Sequence, residues 1–207
     1  MKKFTKRQVI FGSVALAGMA LGAPLSLAAV DMAVLNAAPA EGDMTMGPDT
    51  AKVTVIEYAS ASCPHCAAFY KDVFPTFKTE YIDTGKIHFI FREFPHNDAA
   101  LAAFMVARCA PKEKYFPLVD VFFTTQDQWL QNPLEGLNKI AQQAGFTKES
   151  FDACLKNEAV AKNILAVRST ADGLGVTGIP TFFINGEMLD GEKTIDVLRS
   201  KIDPLLK

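Results

Sequence analysis

Two cysteines three positions apart, Cys63-Pro64-His65-Cys66, are the part of this sequence best equipped for chemistry. Sulfur at that spacing can serve as a structural crosslink, as half of a metal site, or as a dithiol that is oxidised and reduced in turn. A crosslink between cysteines so close closes a tiny loop and therefore restricts the unfolded chain little. A structural zinc site takes about four ligands. There is no second C-x-x-C, and His88 and His96 are the only histidines outside the motif, so no metal site is expected. A redox-active dithiol is the remaining reading.

Such a pair is useful only if one sulfur is held as a thiolate, and the elements around it decide that. "KVTVIEYAS" (52–60) is a β-branched run that reads as a strand. Beyond Cys63, the residues Cys66, Phe69, Tyr70, Val73, Phe74 and Phe77 recur at helical spacing. Pro64 suits the first helical position, which needs no amide hydrogen, and Pro75 should kink the helix. Cys63 then lies at the helix start, close to unpaired amides and the positive end of the helix dipole. His65 adds a donor and, when protonated, a charge. Each effect lowers the Cys63 pKa. Cys66 falls one turn further on, on the apolar face, and should stay protonated. Cys63 is therefore the sulfur that attacks or is attacked, and Cys66 resolves the mixed disulfide. Glu57 shares strand parity with Val53 and Val55, an odd place for an acid; if it is buried, desolvation should raise its pKa.

"KIHFIFREF" (86–94) reads as a second strand covered on both faces. With 52–60 and the helix between them it suits a βαβ unit with parallel strands. Helical patterns follow over Asn97–Ala110, Lys112–Thr125, Pro133–Ala144, Thr147–Lys156 and Ala159–Leu174. Asn132 and Thr147 are expected caps and Gly145 a stop. "GIPTFFINGEML" (178–189) reads as a hairpin with Asn185-Gly186 in a type I′ turn. A helix over about 193–206 closes the chain. The class is α/β, with a sheet domain in 51–96 and 173–207 and a helical insertion in 97–172. Residues 29–50, rich in Ala, Gly, Pro and Asp, read as a mobile leader with a short strand near Met44–Met46.

The 207 residues carry a formal net charge of −2 and are 49% hydrophobic, which suits a packed core and gives no basic footprint for nucleic acid. Residues 1–28 combine "MKKFTKRQ", an apolar stretch and small residues at "SLAA": a secretory signal peptide cut after Ala28. An uncleaved membrane anchor is the rival reading. "TKRQVI" resembles a weak twin-arginine signal, with Lys6 where the first arginine belongs. Export makes disulfides persistent, and four cysteines allow three connectivities. Cys109 shares a face with Ala102, Met105 and Val106, and Cys154 with Phe151 and Leu155. Both suit small buried hydrophobes, but export and the even count favour a Cys109–Cys154 structural disulfide. His96 reads as a loop or capping residue, and Trp129 and the phenylalanines as core.

CPHC, the "EYAS" strand before it, the helical block and "TGIPTFFING" together resemble the DsbA-like thiol–disulfide oxidoreductases, from about Lys52 onward. That resemblance implies a thioredoxin-like fold with an inserted helical domain. It also implies a periplasmic enzyme without a cofactor, acting on folding exported proteins with free cysteines and reoxidised by a membrane quinone-linked partner. Dimeric isomerases of this kind add an N-terminal dimerisation domain, for which 29–50 is too short, so a monomer is expected. Propensity alone favours trans at Ile179–Pro180; the resemblance implies cis, with Ile179 offering backbone groups to an extended substrate peptide. It also gives Glu57 the part of passing a proton to or from Cys66. An apolar patch near Cys63 is expected for peptide substrates, with its residues unassigned. Only the reduced pair has a thiolate, so stabilising it makes the disulfide a stronger oxidant. The rival functions are an envelope disulfide isomerase or reductase, and a peptide-binding module that uses the scaffold without catalysis.

Overall fold

A computed structural model describes residues 30–207; the expected signal peptide lies outside the described residues. The sheet has the order β1-β3-β2-β4-β5. Its centre is β2 (Val53–Ala59), parallel to β3 (Ile87–Glu93) and antiparallel to β4 (Thr181–Ile184). The edges are β1 (Met44–Met46) and β5 (Glu187–Met188). Every residue of β2 except Thr54 is buried, as a strand covered on both faces requires. On one face Val53, Val55 and Ala59 join the main core under α2 (Pro64–Asp72) and α3 (Phe74–Phe77). On the other, Ile56, Tyr58, Ile90 and Phe183 pack beneath Val167 and Ala171 of α9 (Glu158–Gly173). The helix after Cys63 breaks at Val73, two residues before Pro75, and continues past α3 as a π-helical turn, Lys78–Ile82.

Between β3 and β4 lies the helical block. It holds α4 (Asp98–Cys109), α5 (Tyr115–Thr124), α6 (Gln126–Trp129), α7 (Pro133–Gln143), α8 (Lys148–Leu155) and α9. The starts of α4 and α8 follow from their caps. Asn97 accepts from the Ala100 amide, and Thr147 forms a capping box with Ser150. Asn132 stands at the cap of α7, but its side chain donates to Glu135 instead. Buried Glu93 ties the sheet to this block, accepting from Arg108 at 2.9 Å and from the Tyr115 hydroxyl at 2.6 Å. After β4, Asn185 (φ 47°) and Gly186 (φ 89°) both adopt the left-handed conformation of a type I′ turn. The chain then ends through α10 (Ile195–Ile202).

The expected mobile leader is corrected by the structure. Residues 30–46 pack against the domain: α1 (Met32–Asn36) seats Leu35, fully buried, in the second core cluster. The reason lies in β3. Arg92 is 2% exposed and needs acceptors. It donates to the carbonyls of Leu35 at 2.7 Å and Ala37 at 3.1 Å, to both Asp43 oxygens at 2.8 and 3.0 Å, and to the Tyr58 hydroxyl at 2.9 Å. Composition reads the segment as a linker; the guanidinium beneath it makes it a clasp. Among the described residues no helix is long and apolar enough to cross a membrane.

Candidate redox site

Cys63 is the cap residue of α2, in extended backbone (φ −83°, ψ 123°), with Pro64 at the first helical position. Cys63 is 7% exposed and Cys66, one turn on, is completely buried. Both are unbonded. The Cys66 thiol donates to the Cys63 sulfur, and this is the largest influence lowering the Cys63 pKa, to about 5. Burial opposes it, while the backbone amides of Cys66 and His65 and the charge of His96 reinforce it. Burial pushes Cys66 the other way, far above the ordinary thiol range, helped by the neighbouring Cys63 sulfur and by Glu57. One sulfur is thus set up as an anion at neutral pH and the other as a thiol. His65 reaches Cys63 through its amide; its imidazole is exposed.

Glu57 follows Val55 on the α2 face of the sheet and is fully buried. Burial raises its pKa to about 8, against the hydrogen bond that Tyr70 donates to Oε2 at 3.2 Å, which favours the carboxylate. Oε1 has no protein partner. The Tyr70 ring is clamped between Phe74 (4.4 Å) and Phe123 (4.1 Å), so its hydroxyl has a fixed aim. A proton-binding carboxyl therefore lies on the same face as Cys66.

Across from the helix start, the Ile179–Pro180 peptide is cis. The Cys63 thiol points at the Ile179 carbonyl, 3.7 Å away. Cys63 opens into a groove of about 520 Å³ whose walls include Phe94, His96, Arg168, Val176 and Ile179. Of these, Ile179 was expected to meet the substrate and His96 was read as a loop or capping residue; Phe94, Arg168 and Val176 are wall residues that sequence reasoning left unassigned. His96 shares a hydrogen bond with Ser60 Oγ at 2.8 Å and borders the groove beside Cys63. Arg168 braces the same loop, donating to the Pro95 carbonyl at 2.6 Å. One signal could have marked His96: it follows β3, and the C-terminal ends of adjacent parallel strands open on the same crevice. Cys109 and Cys154 form a disulfide between α4 and α8. It lies at the far end of α4 from the site, about 18 Å along a 12-residue helix.

The sequence profile of the thioredoxin family matches residues 39–204. A putative protein-disulfide oxidoreductase of Rickettsia conorii is 33% identical over 171 residues, covering 81% of this chain; the chain spans 61% of that relative's length. A probable disulfide bond formation protein D of Bacillus anthracis is 27% identical, with 79% of this chain and 78% of the relative covered. Among solved structures, α-DsbA1 of Wolbachia pipientis superposes with a TM-score of 0.76 at 32% identity, covering 84% of this chain and 95% of that one. With a reactive-thiol helix start, a cis-proline loop facing it and an inserted helical block all in place, the chain belongs to the thioredoxin family, and within it to the DsbA-like thiol–disulfide oxidoreductases.

Proposed function

We propose that this chain is a dithiol oxidase of the bacterial periplasm that introduces disulfides into folding exported proteins. The observation that carries the reading is the opposed acidity of the two sulfurs, Cys63 low and Cys66 high. A substrate thiolate attacks Cys63 of the oxidised pair. The Cys63–Cys66 bond breaks, and Cys66 leaves and takes a proton, for which the neutral Glu57 carboxyl on its face is suited. A second substrate thiolate then attacks the substrate sulfur of the mixed disulfide. Cys63 departs as a stable thiolate, which speeds this step, because a thiol of low pKa leaves faster. The substrate has lost two electrons and the pair has gained them. The groove and the Ile179 backbone receive an extended peptide carrying the cysteine. Reoxidation falls to a membrane quinone-linked partner, and the enzyme works as a monomer.

The direction is tested by equilibrating the pair with glutathione and by mixing the oxidised protein with a reduced, unfolded substrate. An oxidase equilibrates as a strong oxidant and transfers its disulfide stoichiometrically. A strongly reducing couple, with activity only on scrambled disulfides, would overturn the reading in favour of an isomerase.

A further inference from the structure

We infer that Gln126, in the inserted helical block, is a positioning residue for the redox pair. The inference rests on the redox reading of Cys63 and Cys66, and its evidence is a pair of hydrogen bonds outside the motif. Gln126 is 3% exposed. Its Nε2 donates one hydrogen to the Ala61 carbonyl at 2.8 Å and the other to the Cys63 carbonyl at 3.0 Å. Both oxygens belong to the non-helical turn that leads into α2. The Cys63 carbonyl also accepts the Ala67 amide at 3.0 Å, and the Cys63 amide donates to Ser60 at 3.0 Å. Among the described residues, Gln126 therefore supplies the only side-chain hydrogen bonds from the helical block to the backbone of this turn, whose Ser62 side chain is met by Asn97.

The base of that tie is rigid. The Trp129 indole, three residues on, donates to the Phe122 carbonyl at 2.7 Å. Gly136 of α7 lies so close that a Cβ there would come within 2.7 Å of the Trp129 Cα, so α6 is wedged against α7. Two consequences follow for Cys63. The sulfur meets the amides of His65 and Cys66 only while the Cys63 peptide keeps its orientation. The positive end of the Gln126 amide dipole also points at the turn that carries the anion, which favours the thiolate. Both effects stabilise the reduced pair and make the disulfide more oxidising.

Gln126→Met preserves volume and removes both donors; Gln126→Glu preserves shape and sets a carboxyl against two carbonyl oxygens. In the full chain, both variants should raise the midpoint of the Cys63 thiolate titration. They should also shift the glutathione equilibrium about fivefold towards the protein disulfide, as expected for losing one net hydrogen bond's worth of preference. Leu137→Ala, in the buried face of α7, is the control: it should lower Tm and leave both readouts in place. A Gln126→Met protein that loses Tm as Leu137→Ala does, yet keeps the wild-type titration and equilibrium, overturns the inference. Gln126→Glu is read in the same way should the methionine variant not fold. Wild-type Cys63 titrating as an ordinary thiol would overturn the redox reading as well, and is seen before any variant is made.

Discussion

Glu57 makes the site visible to a stability measurement. Its pKa is about 8 when folded, against 4.5 as the ordinary value. Between those values the folded protein holds a proton that the unfolded chain has lost, so stability falls as pH rises from 4.5 to 8. The full effect is at most about 5 kcal/mol, from 1.36 kcal/mol per pH unit. Glu57→Gln should flatten this slope, leaving the variant about 3–5 kcal/mol more stable than wild type at high pH. Urea unfolding of the oxidised protein at several pH values checks it; parallel slopes would refute it. Cys63 has the opposite sign. Its lowered pKa stabilises the reduced protein above the ordinary thiol range, a contribution lost as pH falls through about 5. The reduced form should therefore lose stability against the oxidised form on acidification across that window, and paired denaturation curves of the two forms measure it. Cys63, Cys66 and Glu57 were legible because spacing and strand parity are local. Tyr70, His96 and Gln126 were not, because their roles depend on partners 13, 36 and 63–65 positions away.

At the scale of elements, most of the pattern was readable, and the exceptions have reasons. The strands expected over 52–60 and 86–94 run Val53–Ala59 and Ile87–Glu93, because β-branched and aromatic runs with turns at both ends leave little choice. The single helix expected over Lys112–Thr125 is instead a 3₁₀ turn, Lys112–Lys114, followed by α5. Helix α6 had no signal at all: four residues, Gln-Asp-Gln-Trp, are too few to show a period. The Cys109–Cys154 bridge spans 45 positions and clips α4 to α8. On loop entropy alone, Cys109→Ala with Cys154→Ala should lower stability by about 4 kcal/mol. A shift in the urea midpoint checks it, and an unmoved midpoint would show that the bridge constrains nothing.

At the scale of the whole molecule, the N-terminal clasp is what the sequence hid. A stretch of Ala, Gly, Pro and Asp has no periodicity to announce that it packs; its anchor is a single arginine on a strand 49 positions beyond Asp43. Arg92→Met leaves Asp43 and two backbone carbonyls without their partner. It should cost about 3–5 kcal/mol, as breaking a buried pair does. Amide hydrogen exchange should rise across residues 32–46 before it rises in β2. Uniform exchange across both would mean that the clasp and the sheet open together.

The order of the chain has a consequence for timing. The Cys63 sulfur faces a carbonyl 116 positions downstream, and β4, which completes the centre of the sheet, is among the last elements made. A chain made from its N-terminus presents Cys63 and Cys66 long before that partner strand exists. The nine residues of α2 form no stable helix by themselves. Until α2 is packed, Cys63 lacks the ordered amides of His65 and Cys66 that lower its pKa, and it is an ordinary thiol. The low-pKa sulfur is thus a product of folding, and an unfolded copy of the chain carries two ordinary thiols at these positions.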